Sequence, residues 1–150
     1  MNSRFLMSKV QPEAYRAMNA LDKYIAIVGI ESRHQEIIRI RASQINGFAY
    51  CVNHHVRDAR KLGESEQKMH LISVWREAGD IFTEEEKLLL EITEEVTLIH
   101  KNGLSENTYD RAIALLGAEK TAQVIMVIIT INAWNRIGVS LHMHPSGTWG

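Results

Sequence analysis

A single cysteine, Cys51, stands four residues before His55. On a helix, side chains at this spacing share a face, one turn from each other. A thiol in the first turn of a helix also lies near the positive end of the helix dipole, which favours the thiolate. The pattern therefore makes Cys51 a candidate nucleophile, with His55 placed to accept or return its proton.

A carboxylate is available to complete this pair. Glu36 falls on the preceding predicted helix, where it could orient the imidazole of His55 as the third member of a proton relay. The same residues also fit a structural interpretation, because a lone cysteine in a small helical protein is most often a buried apolar residue. A histidine on an amphipathic helix is usually a surface or interface residue. Spacing alone leaves both interpretations open.

Other groups of polar residues are weaker candidates. His142 and His144 lie near the C-terminus without a carboxylate or thiolate at ligand spacing, so we predict no metal site there. No glycine-rich phosphate loop or nucleotide-binding fingerprint occurs, and we predict no cofactor. The acidic side of a predicted helix over residues 83–103, including Glu94 and Glu95, is expected to be a solvated face.

Composition and charge exclude several classes of protein. The 150 residues, 45% of them apolar, suit a single domain over 1–150. Seventeen Lys and Arg against eighteen Asp and Glu leave a net charge of −1, so nucleic acid and anionic membrane surfaces are not expected partners. One cysteine cannot close an intrachain disulfide, which argues against an oxidised secreted scaffold.

Membrane insertion and export are also not predicted. The most apolar stretch, 124–134, is interrupted by Thr130 and Asn132 and is shorter than the roughly 18 to 20 residues of a membrane span. The N-terminal residues lack a sustained apolar run that ends in a small-residue cleavage site. We therefore predict a cytoplasmic protein.

Apolar residues recur at spacings of three and four along most of the chain, as on amphipathic helices. No proline occurs between Pro12 and Pro145, so long helices are permitted. We predict seven helices, at residues 12–28, 33–45, 48–62, 65–78, 83–103, 105–116 and 118–137. No long run alternates with period two, and the predicted fold class is all-α.

Helix starts and ends carry further signals. Ser32 with Gln35, and Thr83 with Glu86, have the spacing of capping boxes. The seventh predicted helix is apolar around nearly its whole circumference, which indicates burial between helices or at a subunit interface. Residues 142–150 are predicted to form an extended arm.

The segment around Cys51 resembles the carboxymuconolactone decarboxylase family, specifically its branch similar to the alkylhydroperoxidase AhpD. Members of that branch carry Glu, eleven residues, then Cys-x-x-Cys-x-x-x-His, usually with Asn-Gly just before the first cysteine. Glu36, Asn46, Gly47, Cys51 and His55 stand in this register. Segments 57–64 and 131–136 are similar to the same branch, and the resemblance extends from about residue 15 to 140. It implies an AhpD-like helical bundle and homo-oligomers, commonly trimers or hexamers.

The chain departs from the family pattern at two positions. Phe48 stands where the family has the first cysteine, which resolves the sulfenic acid formed on the second, and Cys51 matches the second, attacking one. Tyr50 replaces a relay histidine found in some members. The resemblance therefore implies a single-cysteine thiol peroxidase with peroxiredoxin-type activity. In it Cys51 attacks a hydroperoxide, His55 handles the proton, Glu36 orients His55, and an external thiol such as glutathione restores the cysteine.

Two alternatives remain at this point. One is cofactor-independent acid–base chemistry on a small carboxylate or lactone, as in the decarboxylase branch, with His55 and Glu36 acting and Cys51 incidental. The other is a non-catalytic oligomeric scaffold or ligand-binding protein with a vestigial site.

Overall fold

The computed structural model describes residues 2–149, and every regular element in that range is helical. The all-α class is thereby confirmed. Met1 and Gly150, the last position of the predicted arm, lie outside the described residues. The elements are α1 (Met7–Val10), α2 (Pro12–Ile27), α3 (Ser32–Ile45), α4 (Ala49–Lys61), α5 (Glu66–Leu71), a 3₁₀ helix (Ile72–Glu77), α6 (Glu84–Thr97) and α7 (Glu106–Ser140).

Helix α3 forms the centre of the packing. It contacts α4, α6 and α7, and Ile37, Ile38, Ile40 and Ala42 are fully buried. Ile38 packs into one apolar cluster with residues of α6 and α7, whereas Ile37 and Ile40 pack into a second cluster on another side. Because α3 is enclosed in this way, the polar side chains that it carries are held in fixed positions.

A tight turn joins α3 to α4. Gly47 has a φ of +66°, which favours glycine, and the backbone N–H of Phe48 donates to the carbonyl of Ser43 at 2.9 Å. Helix α4 starts at Ala49, so Cys51 lies in its first turn, as predicted. The turn folds α4 back along α3, and the side chains of the two helices face each other.

Helix α7 contains both of the last two predicted helices. Gly117 has φ of +78° and ψ of 168°, which interrupts the helical geometry at the predicted boundary. By length and composition, one helix in the described part of the chain, α7, is apolar enough to span a membrane, with an 18-residue window of mean hydropathy 1.7. Its polar side chains nevertheless pair within the chain, since Asn135 donates to Ser43 and Asn132 donates to Thr97.

One of the two predicted capping boxes is wrong. Ser32 is already helical, and Glu31 is the N-cap without a side-chain bond. Gln35 is buried and instead donates to the carbonyls of Ile25 and Ile30, which satisfies backbone groups where α2 ends. The Thr83–Glu86 box is confirmed, with both of its hydrogen bonds present.

The fourth predicted helix is not continuous. Helix α5 ends at Leu71, and the following 3₁₀ helix contains Val74 in a non-helical conformation with φ of −125°. This break leaves Val74 exposed and turns Trp75 inward, where its indole N–H donates to Glu94 at 2.6 Å. Packing against α6 therefore overrides the local helical pattern.

The acidic side of α6 is not a simple solvated face. Glu94 is paired with Arg41 at 3.2 Å and with Arg76 at 3.1 Å. Glu95 accepts a hydrogen bond from the hydroxyl of Ser105 at 2.8 Å. The prediction that Glu94 and Glu95 lie on a solvated face is therefore wrong. Arginine side chains pair with Glu94, and a serine hydroxyl donates to Glu95.

The C-terminal residues follow α7 without regular structure. They fold back over the molecule. The centroid of the Trp149 ring lies 4.6 Å from the guanidinium carbon of Arg60 on α4. At the other terminus, the backbone N–H of Arg4 donates to the carbonyl of Leu141 at 3.0 Å. Both terminal segments are thus attached to the helical body.

Candidate active site

Glu36 and His55 form a direct pair between α3 and α4. His55 Nδ1 lies 2.8 Å from Oε2 of Glu36, and Arg39 donates to the other carboxylate oxygen at 2.7 Å. A carboxylate only accepts hydrogen bonds, so the proton on this side of the imidazole belongs on Nδ1. Nε2 of the neutral ring is then free to accept a proton.

The environment of Glu36 keeps its side chain ionised. Burial by itself raises the pKa of this carboxyl, but the hydrogen bond from His55 and the charges of His55 and Arg39 outweigh burial. The pKa of Glu36 is therefore lowered from its ordinary value of 4.5. At neutral pH the carboxylate can hold the Nδ1–H of His55, as predicted for an orienting group.

Cys51 is buried against Ala42, Phe48 and Ile131. Desolvation raises the pKa of Cys51 to about 11, although hydrogen bonds from Asn135 and Ser43 act in the opposite direction. Burial thus opposes the thiolate that the position at the helix start was expected to favour, and a thiol with this pKa is protonated at neutral pH.

A pocket of about 490 Å³ contains all three predicted residues, Glu36, Cys51 and His55, in its lining. Among the described residues, no hydrogen bond joins Cys51 directly to His55. The lining combines charged and polar side chains with a larger apolar surface. The other polar lining residues include Arg39, His54, Asp58, Asp22, Ser8 and Thr130, and the apolar wall includes Leu6, Tyr15, Phe48, Ile131, Trp134, Leu141 and Met143.

Sequence reasoning missed several pocket residues. Arg39 is not among the predicted site residues, although its position three residues after Glu36 is a spacing at which helical ion pairs form. Asp58 has a comparable signal, four residues after His54. Phe5 and Leu6 cover the pocket from the N-terminal segment, and no local pattern indicates that long-range contact.

The ring of Phe48 packs against Gly138 of α7, where the missing side chain leaves room for it. A Cβ added at Gly138 would lie 1.9 Å from Cζ of Phe48, so the ring rests directly on the glycine. Tyr50 stacks between Phe48, at a centroid distance of 5.8 Å, and His54, at 6.3 Å. Phe48 is therefore part of a closely packed aromatic wall of the pocket.

His142 and His144 lie away from this arrangement. Their rings stack at a centroid distance of 6.5 Å, and neither lines the pocket. The structure brings Glu36 and His55 into contact, places Cys51 in the same pocket, and leaves the tail histidines outside it.

Comparisons with known proteins agree with this architecture. A model of the carboxymuconolactone decarboxylase family matches residues 12–95. The uncharacterized protein YdfG of Bacillus subtilis (strain 168) is 35% identical over 141 residues, which are 94% of this chain and 95% of YdfG.

Solved structures share this helical fold, and the predicted AhpD-like bundle is confirmed by the first of them. A protein of unknown function from Agrobacterium tumefaciens, with a suggested identity as the antioxidant defence protein AhpD, superposes with a TM-score of 0.93 at 38% identity, covering 97% of this chain and all of that one. An uncharacterized peroxidase-related protein from Silicibacter sp. TM1040 gives a TM-score of 0.79 at 18% identity, covering 91% of this chain and 72% of the other. The latter likeness concerns the fold alone.

Proposed function

Because this chain belongs to the carboxymuconolactone decarboxylase family, we propose that it is an AhpD-like thiol peroxidase that works with one cysteine and an external thiol. The observation that carries the proposal is the pocket that contains Cys51 together with the Glu36–His55 pair. The suggested antioxidant role of the Agrobacterium protein supports the same activity. Cys51, His55 and Glu36 have the roles of nucleophile, base and orienting carboxylate.

The first step transfers one oxygen atom to sulfur. Nε2 of His55 takes the thiol proton of Cys51, directly or through one water, and the sulfur attacks the terminal oxygen of the hydroperoxide. The S–O bond forms as the O–O bond breaks, and His55 returns the proton to the leaving alkoxide. Sulfur is oxidised by two electrons to the sulfenic acid, and the hydroperoxide is reduced to an alcohol.

An external thiol completes the cycle. The sequence offers no second cysteine, so a first thiol molecule condenses with the sulfenic acid and releases water. A second thiol molecule then displaces Cys51 as the free thiol and leaves with the first as a disulfide. This route replaces the internal disulfide for which Phe48 provides no sulfur.

Because Cys51 is buried, the proposed reaction depends strongly on His55 as a base. With a pKa of about 11, the thiol does not ionise unaided at neutral pH, and the reaction then depends on a base. Glu36 keeps Nε2 of His55 available for that task by holding the proton of the ring on Nδ1.

This dependence gives a pH-resolved test. His55→Ala should slow hydroperoxide reduction at pH 7 by about 10² to 10⁴-fold, and Glu36→Gln by a smaller factor. The deficit should shrink as the pH rises toward 11, because the thiol then ionises without a base. The measurement is hydroperoxide loss with excess glutathione from pH 7 to 10. His70→Ala is the control, since His70 is exposed on α5. Equal rates for wild type and His55→Ala at pH 7 would reject the relay.

The raised pKa of Cys51 also favours a second candidate function. In this alternative, Nε2 of His55 abstracts a proton from a small carboxylate or lactone, Glu36 orients the ring, and Cys51 only forms part of the wall. The two functions separate on one variant, because only the peroxidase needs the sulfur of Cys51.

We also propose that the protein is a homo-oligomer, with a trimer or hexamer expected from the family. Apolar side chains on the surface of the single chain support this: Ile27 is 84% exposed, and Phe5, Val10 and Val139 are about half exposed. Only 28% of the apolar window of α7 is buried within one chain. A second copy would cover such surfaces.

A further inference from the structure

Three side chains of the types that ligate metals lie close together on α4, in the lining of the pocket. His54, His55 and Asp58 each offer one ligand atom, and these atoms lie within 4.8 Å of one another. His54 and Asp58 are four residues apart on α4, and Nε2 of His54 lies 3.3 Å from Oδ2 of Asp58. All three residues line the pocket.

His55 has the outer support that metal-binding histidines use. Its Nδ1 is bound to Glu36 at 2.8 Å, and Glu36 is held in turn by Arg39. In metal sites, a carboxylate on the far nitrogen fixes the tautomer and ring orientation and makes the other nitrogen a better ligand. The Glu36–His55 pair therefore prepares Nε2 for a cation as well as for a proton.

The donor set indicates the class of metal. Two imidazoles and one carboxylate suit zinc and similar transition-metal ions, whereas magnesium and calcium prefer oxygen ligands alone. In tetrahedral zinc, ligand atoms lie about 3.3 Å apart, so the present separations must shorten by up to about 1.5 Å. His54 and Asp58 are partly exposed on α4, and rotation of their side chains can supply that movement.

We propose that His54, His55 and Asp58 bind one zinc-class divalent ion, with Glu36 as the outer partner of His55. Three protein ligands leave a fourth position on a tetrahedral ion, which can take water or a substrate oxygen. The ion would use the same Nε2 lone pair of His55 that the proposed peroxidase uses as a base. Metal binding and the Cys51 reaction therefore exclude each other at one time, but the binding itself does not depend on peroxidase activity.

Titration calorimetry with zinc chloride tests the site. We expect one Zn²⁺ per chain, and binding weakened roughly tenfold or more by His54→Ala and by Asp58→Asn. Co²⁺ should give a visible spectrum that both variants lose. Far-UV circular dichroism of each variant verifies the fold.

Matched controls exclude other ligands. His70 and Glu66 form another histidine–carboxylate pair four residues apart, outside the pocket, so His70→Ala should bind Zn²⁺ as the wild type does. Cys51→Ser and the double variant His142→Ala/His144→Ala should also bind normally. The proposal is overturned if wild type binds no Zn²⁺, if His54→Ala and Asp58→Asn bind it unchanged, or if binding is lost with Cys51 or the tail histidines.

Discussion

Replacing Cys51 by serine should reduce hydroperoxide turnover to the rate of the external thiol alone. The hydroxyl of serine is neither acidic enough nor nucleophilic enough to attack the O–O bond, and the chain has no other sulfur of this kind. The change removes no large group from the core, because the two side chains are similar in size. The assay is loss of cumene hydroperoxide with excess glutathione, at equal concentrations of folded wild type and variant.

The same variant separates the two candidate functions. Acid–base chemistry by His55 and Glu36 would proceed without the sulfur, so Cys51→Ser would then retain activity while His55→Ala would lose it. Hydroperoxide turnover that Cys51→Ser keeps in full would therefore reject the single-cysteine peroxidase. Turnover of a lactone or carboxylate that Cys51→Ser keeps and His55→Ala loses would favour the acid–base enzyme. Ser43 and Asn135, which hydrogen bond with Cys51, remain in place in this comparison.

Gly138→Ala should destabilise the protein strongly, because Gly138 lies directly against Phe48 of the pocket wall. The added Cβ would lie 1.9 Å from Cζ of Phe48, and the ring has to move within a close-packed cluster. Overpacking of this kind costs about 3 kcal/mol, and about 1 kcal/mol is regained because alanine favours a helix over glycine. The melting temperature should therefore fall by roughly 4 to 8 °C.

A double variant identifies the ring as the cause. Phe48→Ala alone leaves a cavity and should destabilise by about 3 to 5 kcal/mol. Combined with Gly138→Ala, the loss should be smaller than the sum, because the new methyl group enters space that the ring has left. Gly29→Ala is the control, since its Cβ would lie 3.9 Å from the nearest atom. Strict additivity would show that Phe48 and Gly138 are not a matched pair.

Local signals in the sequence were sufficient to predict the Glu36–His55 contact. The Asn46-Gly47 turn folds α4 back on α3, and helical spacing then decides which side chains face each other. The ionisation of Cys51 was not predictable in this way. Its desolvation depends on Ile131 of α7, which lies eighty residues further along the chain.

Two further features of the structure also depend on contacts between segments that are distant in the sequence. The break at Val74 arises because Trp75 turns toward Glu94 of α6, and a local apolar pattern contains no information about that partner. The contact between Phe48 and Gly138 likewise joins α4 to the end of α7. Periodicity therefore located the helices, whereas packing between distant segments decided the electrostatics and shape of the pocket.

Trapping the oxidised cysteine tests the peroxidase proposal most directly. Wild-type protein and Cys51→Ser are treated with one equivalent of cumene hydroperoxide in the presence of dimedone, which reacts with sulfenic acids, and their intact masses are measured. We expect one dimedone adduct per wild-type chain, located at Cys51 by peptide mapping, and none on the variant. An unmodified Cys51, while free cysteine in a parallel tube is oxidised, would contradict the proposal that this residue reduces hydroperoxides.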